Sequence, residues 1–292
     1  FRVPDRAGKT AAENAARHRL TGDIIVNTDA SVRIHPAAIK ALVACFSDPK
    51  VGVASGRDVS TAEMDEAANI GEAGYVGYEM WVRSLETRVQ GIVQASGCLY
   101  ATRRHIHDRA FPEHLTRDYG APALSREAGL KSVSVDGALC YVPRQHSLRK
   151  EYRRKARTMT RGLKSVWYRR TLLNPFKYGV YSLMVLSHKL FRWLVPVALI
   201  VGALAGVGLA TVEPRAWPLA AAVALVGVLA AIGWLWPEGQ SAPKLFAVPA
   251  YIVVANLAAL HGWVNLVLGK SSAAWSPTRR ETAATGVPGS AG

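Results

Sequence analysis

The sequence predicts an α/β domain with a mostly parallel sheet and flanking helices, joined by a basic segment to an α-helical membrane region. Three observations support this fold class. Helical and strand patterns alternate in the first part of the chain, the stretch from about Trp193 to Leu268 is mostly apolar, and nearly all of the net charge of +15 lies between these two parts. The 292 residues are enough for about two domains.

The first part of the chain alternates between helical and strand patterns. Gly8–Leu20 is rich in alanine and predicts a helix, and Asp23–Thr28 is a short β-branched run typical of a buried strand. Pro36 opens a second helix that ends near Phe46, and Val51–Ala54 is a second buried strand. Helices that alternate with buried strands indicate a parallel sheet covered by helices.

The middle of the chain completes this domain and leads into the basic segment. It predicts a long helix, two strands around a glycine-containing turn, a loop followed by a helix, one or two further strands and a basic helix. In order, these are Ala62–Val89, Ile92–Ala101, Thr116–Gly129, Lys131–Val142 and Ser147 to about Arg170. We place the domain at residues 1–146, basic interfacial helices at 147–192, membrane helices at 193–269 and a polar tail at 270–292.

The basic segment carries most of the charge excess. Between Arg144 and Arg192 the chain has fourteen Lys or Arg residues and one acid, Glu151. Because Lys and Arg are retained on the cytoplasmic side of membrane helices, this position predicts a cytosolic segment beside the membrane. The sequence shows no nucleic-acid-binding motif, so the expected partners are membrane lipids and a phosphate-bearing substrate, not nucleic acid.

Three apolar segments are long enough to cross a bilayer, which takes about 20 residues. They are Trp193–Val212, Trp217–Trp236 and about Phe246–Leu268. The interiors of the first two contain no charged residue, which argues against a transporter. The third contains the polar residues Asn256, His261 and Asn265, and a full crossing would place the basic residues after it outside, so an interfacial or re-entrant position stays open. We expect a multi-pass protein of the cell (inner) membrane whose soluble domain is cytoplasmic.

The three cysteines indicate no special chemistry. Cys45, Cys98 and Cys140 are far apart in the sequence and show no CxxC spacing. This pattern argues against a disulfide framework or a zinc site, fits a reducing compartment, and is best explained by small buried side chains.

Asp29 is the first candidate for chemistry, because it directly follows the Asp23–Thr28 strand. Ligands of open α/β sheets bind beyond the carboxyl ends of the strands, and a carboxylate there can hold Mg²⁺ or Mn²⁺ against a diphosphate. The alternative is a structural role, since Asp-Ala-Ser at residues 29–31 is favourable turn chemistry.

Asp118 is the second candidate, in the sequence Leu-Thr-Arg-Asp-Tyr-Gly. A carboxylate at the start of a helix can act as a general base when it faces a cleft. The alternative is that Asp118 caps the helix, a position in which Asp is common.

One face of the basic helix is the third candidate. Arg154, Arg157 and Arg161 are three and four residues apart and therefore share a face. Guanidinium groups arranged in this way can bind phosphate oxygens in bidentate fashion. The alternative is anchoring to anionic lipid, which contributes about 1 kcal/mol per basic residue.

Two weaker patterns receive structural interpretations. His105, His107 and Asp108 have the spacing of a metal cluster, but no further ligand follows nearby, so we interpret them as a solvated helix end. Gly56-Arg57-Asp58 follows the Val51–Ala54 strand and is interpreted as a loop.

The order of these segments resembles the family-2 glycosyltransferases. The resemblance rests on GKTAAENAA, GDIIVNTDAS and HPAAIKALVACFSDPKVGVASG, then on YEMWVRSLETRVQGIVQASGCLYATRR, LTRDYGAPALSREAGLKSVSVDGALCYVPR, EYRRKARTMTRGL and LLNPFKYGVYSLMVLSHKLFRWLVP. It covers residues 8–280 and includes the step into membrane helices, as in the bacterial exopolysaccharide synthases and the synthases of cellulose, chitin and hyaluronan.

The resemblance implies a GT-A fold and inverting transfer from a nucleotide sugar, expected to be a UDP-sugar, to a polysaccharide or lipid-linked acceptor. Asp29 matches the first acid of the family's DxD motif, which binds the divalent metal (Mg²⁺ or Mn²⁺) and diphosphate, and Ser31 replaces the second acid. Asp118 matches the catalytic base of an acidic pair whose first position is occupied by Arg117.

The resemblance also assigns residues to the donor diphosphate and to the acceptor. Arg157 matches the Arg of the QxxRW motif of processive members, and with Arg154 and Arg161 it is expected at the donor diphosphate. The Gln and Trp of that motif are missing, so processive polymer synthesis is not implied. Ser96, Gly97 and Cys98 are expected to line the acceptor side.

The chain begins at Phe1 without the strand and nucleotide-binding loop that open the family's domain. We therefore interpret the sequence as an N-terminally truncated fragment that by itself would bind nucleotide poorly and be inactive. The alternative to an enzyme is a non-catalytic membrane subunit or scaffold. The exchange of an acid for Ser31 favours this alternative, whereas Asp29, Asp118 and Arg157 oppose it.

Overall fold

The structure, a computed structural model, describes residues 8–60, 67–142, 147–237, 240 and 242–270. The polar tail predicted after Lys270 lies outside these residues, as do the first residues of the predicted domain and the start of the long helix predicted at Ala62. The described chain forms a mixed α/β part followed by long apolar helices, which agrees with the sequence analysis. The proposed domain boundaries stay predictions.

Helices and strands alternate along the α/β part. The strands are β1 (Ile24–Thr28), β2 (Arg33–Ile34), β3 (Val51–Ser60), β4 (Leu99–Arg103) and β5 (Lys131–Val142). The helices are α1 (Lys9–Ala16), α2 (Ala38–Ala44), α3 (Ala67–Val89), α4 (Arg104–His107) and α5 (Arg117–Glu127), with short 3-10 helices at Arg17–Arg19 and Cys45–Ser47.

Two segments differ from the prediction. Residues 92–98, named here the 92–98 loop, form no strand before β4. Gly56-Arg57-Asp58 is not a loop, because β3 continues through it and pairs with β5 as far as Ser60. Short apolar runs predict a strand from composition alone, whereas the pairing partner decides where the strand begins and ends.

The sheet has the strand order β1-β4-β3-β5-β2 and is mixed, so the prediction of a mostly parallel sheet is wrong. β3 and β5 pair in parallel, whereas β4 is antiparallel to both β1 and β3, and β2 is antiparallel to β5. β1 and β3 run in the same direction, as the helix–strand alternation predicts, but β4 lies between them. The alternation indicates the direction of successive strands, and their neighbours depend on segments later in the chain.

The main core lies where α2 packs on the sheet. Its buried members are mostly small or branched apolar side chains: Ala38, Leu42, Phe46, Val51, Ala54, Leu99, Ala101, Ala138, Cys140 and Val142. Cys140 is buried, and Cys45 and Cys98 are half-buried free thiols. This core supports β1, and the candidate residue Asp29 directly follows the carboxyl end of that strand.

The C-terminal part is helical throughout its described length. Its elements are α6 (Leu148–Tyr168), α7 (Pro175–Tyr178), α8 (Val180–Val185), a π-helical segment (Leu186–Phe191), α9 (Arg192–Val212), α10 (Trp217–Leu235) and α11 (Lys244–Val267). Three helical segments are long and apolar enough to cross a membrane: Val180–Val212, Pro214–Leu235 and Lys244–Val267. The first begins before the predicted Trp193, because the π-helical segment joins α8 to α9 without a break.

The basic helix α6 packs against the apolar helices. A Cβ atom at Gly162 would lie 2.7 Å from the Trp193 ring, so only glycine allows this approach of α6 to α9. The Trp263 indole N–H of α11 donates to the Trp193 carbonyl at 2.9 Å. A Cβ atom at Gly262 of α11 would lie 3.2 Å from Met159 of α6, so the basic helix packs closely against two of the three apolar helices.

Gly91 fixes the start of the 92–98 loop. Its φ of 96° lies in the left-handed region, and a Cβ atom there would lie 2.7 Å from the Ser132 carbonyl oxygen. The next residue, Ile92, donates its N–H to that carbonyl at 2.8 Å. The loop is thus held against β5 at a point where a side chain has no room.

We expect Gly91→Ala to lower the free energy of unfolding more than Gly129→Ala. Both glycines have a positive φ, which costs alanine about 1–2 kcal/mol, but a Cβ atom at Gly129 meets no atom within 4 Å. The backbone clash at Gly91 should cost a further ~1–3 kcal/mol. Thermal unfolding of the full-length protein in detergent measures the difference, and equal losses for the two variants would contradict it.

Candidate active site

Three segments meet beyond the carboxyl end of β1. The Asp29 N–H, directly after β1, donates to the Cys98 carbonyl at 3.1 Å, and the Ala95 N–H donates to the Asp118 carbonyl at 2.9 Å. The 92–98 loop therefore lies between the turn that carries Asp29 and the first turn of α5, which carries Asp118. The structure brings together the two carboxylates that the sequence analysis selected from distant positions.

Lys9 connects the Asp29 turn to the 92–98 loop. Its ammonium Nζ lies 2.6 Å from Asp29 Oδ1 and donates to the Gly97 carbonyl at 2.7 Å. Burial works against the charged form of Lys9, but the negative charges of Asp29 and then Glu13 outweigh it and raise the pKa of Lys9. The Lys9 ammonium is therefore charged near pH 7 and joins the Asp29 turn to the 92–98 loop.

Asp118 is half-buried and faces the 92–98 loop. Its Oδ2 accepts a hydrogen bond from the Gln94 side-chain amide at 2.7 Å, and a Cβ atom at Gly97 would lie 3.6 Å from the same oxygen. The N-cap of α5 is Thr116, so the alternative interpretation of Asp118 as the helix cap is wrong. The carboxylate is oriented across the loop and not toward its own helix.

Ser96 holds the loop from inside. It is fully buried, its hydroxyl donates to Asp58 Oδ1 at 2.5 Å, and it accepts the N–H of Cys98 at 3.0 Å. Asp58 belongs to the segment interpreted from sequence as a loop, and in β3 it supports the site. Of the predicted acceptor-side residues, Gly97 and Cys98 are half-buried beside the two carboxylates, whereas Ser96 has no exposed surface.

The three arginines of the basic helix have different surroundings. Arg154 makes a bidentate ion pair with Glu151, at 2.7 and 2.8 Å. Arg161 donates to the Leu115 carbonyl at 2.6 Å, in the loop that precedes Asp118. Burial, and then the neighbouring Arg161 and Arg154, lower the pKa of Arg157.

Arg157 and Arg161 line a cavity of about 330 Å³ between α6 and α11. Its other lining residues are Tyr152, Arg153, Ala156, Thr160, His261, Asn265 and Lys270. Four of the lining side chains are cationic and none is acidic, so the cavity suits an anion. The polar residues that weaken the third apolar segment as a membrane span, His261 and Asn265, face this cavity.

Arg117 is a buried structural residue. Its guanidinium donates to the carbonyls of His107 and Arg109, both at 2.9 Å, and to Asn14 Oδ1 at 3.0 Å. Glu13 Oε2 lies 3.9 Å from its Nε. Arg117, at the position expected for the first acid of the pair, therefore connects α1 to the segment before α5. These hydrogen bonds hold it in place directly beside Asp118.

Lys9, Gln94 and Asp58 were missed by the sequence analysis. One feature could have indicated a role for Lys9, which is the first residue of α1. The helix dipole disfavours a cation at this position unless an anion lies nearby. Gln94 has no comparable signal, since an amide in a loop has many structural roles. Asp58 was interpreted as part of a loop because the end of β3 was placed at Ala54, six residues too early.

The described residues contain no group of three or more His, Cys, Asp or Glu side chains that could hold a metal ion. His107 is buried, so its interpretation as part of a solvated helix end is wrong. Burial, and then the charge of Arg117, lower the pKa of His107 to about 4, so it is neutral near pH 7. His105 and Asp108 are exposed, as expected for a solvated helix end, and Asp108 lies 3.6 Å from the Arg104 guanidinium.

Comparisons with known proteins identify the family and the fold. The model of the family described as Glycosyl transferase family 21 matches residues 9–242. Among solved structures, the chain is similar to the mannosyltransferase PcManGT from Pyrobaculum calidifontis in complex with GDP-Man and Mn²⁺. The TM-score is 0.61 at 20% identity, over 91% of this chain and 68% of that one, which shows a shared fold. No curated protein matches the sequence.

Glu13 predicts a pH-dependent stability. Burial raises its pKa from 4.5 to about 7, and Lys9 and Arg117 offset this only in part. Because the folded-state pKa is higher than the unfolded one, the protonated form favours folding, and this contribution is lost as the pH rises from about 4.5 through 7. We expect Glu13→Gln to become more stable relative to the unchanged protein over this range, by up to about 3 kcal/mol.

Thermal unfolding midpoints of the full-length protein at pH 5, 6, 7 and 8 measure this difference. The matched control is Glu113→Gln, because Glu113 is exposed. The difference in unfolding midpoint between this variant and the unchanged protein should be the same at each pH. A constant difference for Glu13→Gln as well would contradict the raised pKa.

Proposed function

Because the chain belongs to glycosyl transferase family 21, we propose that it transfers a sugar with inversion from a nucleotide sugar to a lipid-linked or polysaccharide acceptor at the cytoplasmic face of the cell membrane. The donor we propose is a UDP-sugar. The motif order resembles family 2, but the family that the chain matches is family 21, and the likeness to synthases of cellulose, chitin and hyaluronan stays a prediction.

One observation carries the proposal: Asp29 and Asp118, 89 residues apart, lie on the two sides of the 92–98 loop. On one side the Lys9 ammonium bridges Asp29 to the Gly97 carbonyl, and on the other a Cβ atom at Gly97 would lie 3.6 Å from Asp118 Oδ2. A direct displacement at a sugar carbon requires a base and a diphosphate-binding group close to the same carbon. Here the two candidates lie on opposite sides of one small residue. Glycine at this position leaves room for the reacting sugar.

Asp118 is the proposed general base. Its carboxylate takes the proton of the acceptor hydroxyl while that oxygen attacks the anomeric carbon, and the bond from this carbon to the diphosphate oxygen breaks. The attack from the opposite side inverts the configuration. Gln94, which donates to Oδ2, keeps the other oxygen of Asp118 oriented toward the acceptor.

Cations at the site stabilise the departing diphosphate, a contribution that is usually the largest in such reactions. Lys9 is placed at the Asp29 turn, and Arg157 and Arg161 line the neighbouring cavity. We do not assign Arg154 to the diphosphate, as the sequence analysis expected, because its guanidinium is paired with Glu151.

A divalent ion fits the donor set only together with the donor. Asp29 is the one carboxylate at the turn, and Mg²⁺ or Mn²⁺ commonly takes one or two carboxylates plus water and phosphate oxygens. Asp29, assisted by Ser31, would hold the ion, which supplies charge neutralisation at the diphosphate. The similar mannosyltransferase was solved with Mn²⁺, and this supports the same class of ion here.

The cavity between α6 and α11 supports an acceptor or donor group presented from the membrane. It lies against an apolar helix long enough to cross a bilayer and carries a surplus of positive charge. We therefore favour a lipid-linked acceptor, with the neighbouring basic residues in contact with anionic lipid.

The alternative function is a non-catalytic membrane subunit that keeps the fold, and the exchange at Ser31 is the observation that favours it. A nucleotide-sugar hydrolysis assay on the full-length protein, with and without Mn²⁺, separates the two. Metal-dependent turnover supports the enzyme, and its absence together with retained nucleotide binding supports the subunit.

Asp118→Asn should lower transfer at least ~100-fold, because general-base catalysis typically contributes 10²–10⁴-fold. The amide cannot accept the proton but keeps the size of the side chain, so binding of the nucleotide sugar should be unchanged. Turnover and equilibrium donor binding of the full-length protein measure the two effects. Asp136→Asn is the control, since that carboxylate is exposed and paired only with Arg57 among the contacts described. Retained turnover in Asp118→Asn would remove this residue from its role.

Asp29→Asn should weaken donor binding in the presence of Mn²⁺ by about tenfold or more, since loss of a charged contact costs about 1.5–3 kcal/mol. Without Mn²⁺ the variant and the unchanged protein should bind the donor alike, because the ion then no longer distinguishes them. Titration of the full-length protein with nucleotide sugar, with Mn²⁺ or with a chelator, measures this. An equal loss in both conditions would show that Asp29 acts through its contact with Lys9 instead.

A further inference from the structure

A buried cluster of charged side chains lies between α3 and the first apolar helical segment. From α3 it contains Glu79, Arg83 and Glu86, whose spacings of four and three residues place them on one helix face. All three are at most 7% exposed. None of them has a part in the chemistry proposed above, so their burial needs another explanation.

The opposite side of the cluster comes from the π-helical segment and the start of α9. His188 and Lys189 are buried, and Arg192 is mostly so. π-helical segments interrupt α-helices mainly at functional positions, because the extra residue in the turn changes where side chains point. Here the interruption lies where the apolar helix meets the acids of α3.

Glu79 is the centre of the cluster. Its carboxylate is 2.7 Å from Arg192, 3.1 Å from His188 and 3.6 Å from Arg83. Burial opposes ionisation, but the charge of Lys189 and the hydrogen bond from His188 lower the pKa of Glu79 well below its usual value. Glu79 therefore stays ionised, and removing one of its partners would leave a buried charge incompletely paired.

Glu86 extends the cluster to the 92–98 loop. Its Oε1 lies 2.5 Å from His188 Nδ1, and its Oε2 accepts the N–H of Val93 at 3.1 Å. Arg83 reaches the same loop, since its Nη2 donates to the Ala95 carbonyl at 3.4 Å. Two members of the cluster thus hold backbone groups on either side of Gln94.

Gln94 connects these contacts to the proposed base. Its amide donates to Asp118 Oδ2 at 2.7 Å, and the next residue, Ala95, donates its N–H to the Asp118 carbonyl. The 92–98 loop belongs to no strand, so the Val93 N–H and the Ala95 carbonyl depend on α3 for their hydrogen bonds. The position of Gln94 is then set by the cluster.

We propose that Glu86 and Arg83 are positioning residues for Asp118, acting through Val93, Ala95 and Gln94, and that His188 couples this loop to the first apolar helical segment. The inference rests on the proposed function, since it assigns Asp118 as the base. A buried charge cluster is a costly way to stabilise a fold, whereas it specifies one geometry, which is what a loop without regular structure lacks.

The experiment is a double-mutant cycle on the full-length protein in lipid nanodiscs, with Glu86→Ala, Gln94→Ala and the double variant. Each single change should lower kcat about tenfold or more and leave donor binding within about twofold. If Glu86 acts through Gln94, the double variant should be no slower than the slower single variant. Multiplied losses in the double variant would overturn the proposal.

Hydrogen exchange of the loop amides provides a readout that does not depend on activity. In Glu86→Ala, exchange at the Val93 amide should accelerate at least ~10-fold, because this N–H loses its acceptor, the Glu86 carboxylate. Glu86→Gln should keep exchange near the original rate, since the amide oxygen still accepts the Val93 N–H. Unchanged exchange in Glu86→Ala would overturn the proposal.

Glu127→Ala is the matched control. It removes a partly buried acid paired with Arg169 at 2.8 Å, in the same part of the chain but without contact to the 92–98 loop among those described. It should leave kcat and the loop amides unchanged. If Glu86→Ala does not fold, Arg83→Gln replaces it in the cycle, because it removes the contact to the Ala95 carbonyl and keeps a polar side chain beside Glu79.

The two readouts separate this proposal from the proposed function. If the unchanged protein shows no turnover with any nucleotide sugar, the function fails, and the exchange rates alone decide the positioning. If turnover is present but exchange and the cycle show no coupling, the function stands and the positioning is wrong.

Discussion

Backbone hydrogen bonding in the 92–98 loop is the constraint on which the site depends. The loop is largely buried but belongs to no helix or strand, so its polar groups must be bonded by other elements. β5 bonds Ile92, α3 bonds Val93 and Ala95, β3 bonds Ser96, and the Asp29 turn bonds Cys98. These contacts come from four different segments, so the shape of the loop depends on the assembly of the α/β part around it.

The charges at the site follow from the same requirement. Lys9, Arg117 and Arg161 each donate to backbone carbonyls as well as facing a carboxylate or a cavity. A cation fixed by carbonyls keeps its position when an anionic ligand arrives and loses little conformational freedom on binding. The excess of positive charge that the sequence shows in the basic helix therefore extends into the α/β part, through Lys9 and Arg117. The composition of that part did not indicate a role for these two residues.

Sequence patterns predicted the parts of this structure that depend on local order. The strand before Asp29, the helix that starts near Asp118 and the glycine that ends it, and the basic helix all lie where the patterns indicate them. The position of β4 between β1 and β3 could not be predicted in this way, because strand pairing joins residues far apart in the chain. For the same reason Asp29 and Asp118 could be selected singly, but their positions on the two sides of the 92–98 loop and the contribution of Lys9 could not be predicted.

The replacement of an expected acid by Arg117 has an electrostatic explanation in the same network. The position is 5% exposed and its side chain lies 3.9 Å from Glu13, whose pKa burial already raises to about 7. A second carboxylate there would place two buried like charges beside Asp118, at a cost of several kcal/mol unless one were protonated. Arginine instead compensates Glu13 and bonds three acceptors. The departure from the expected acidic pair thus replaces a buried repulsion with a compensated charge directly beside Asp118.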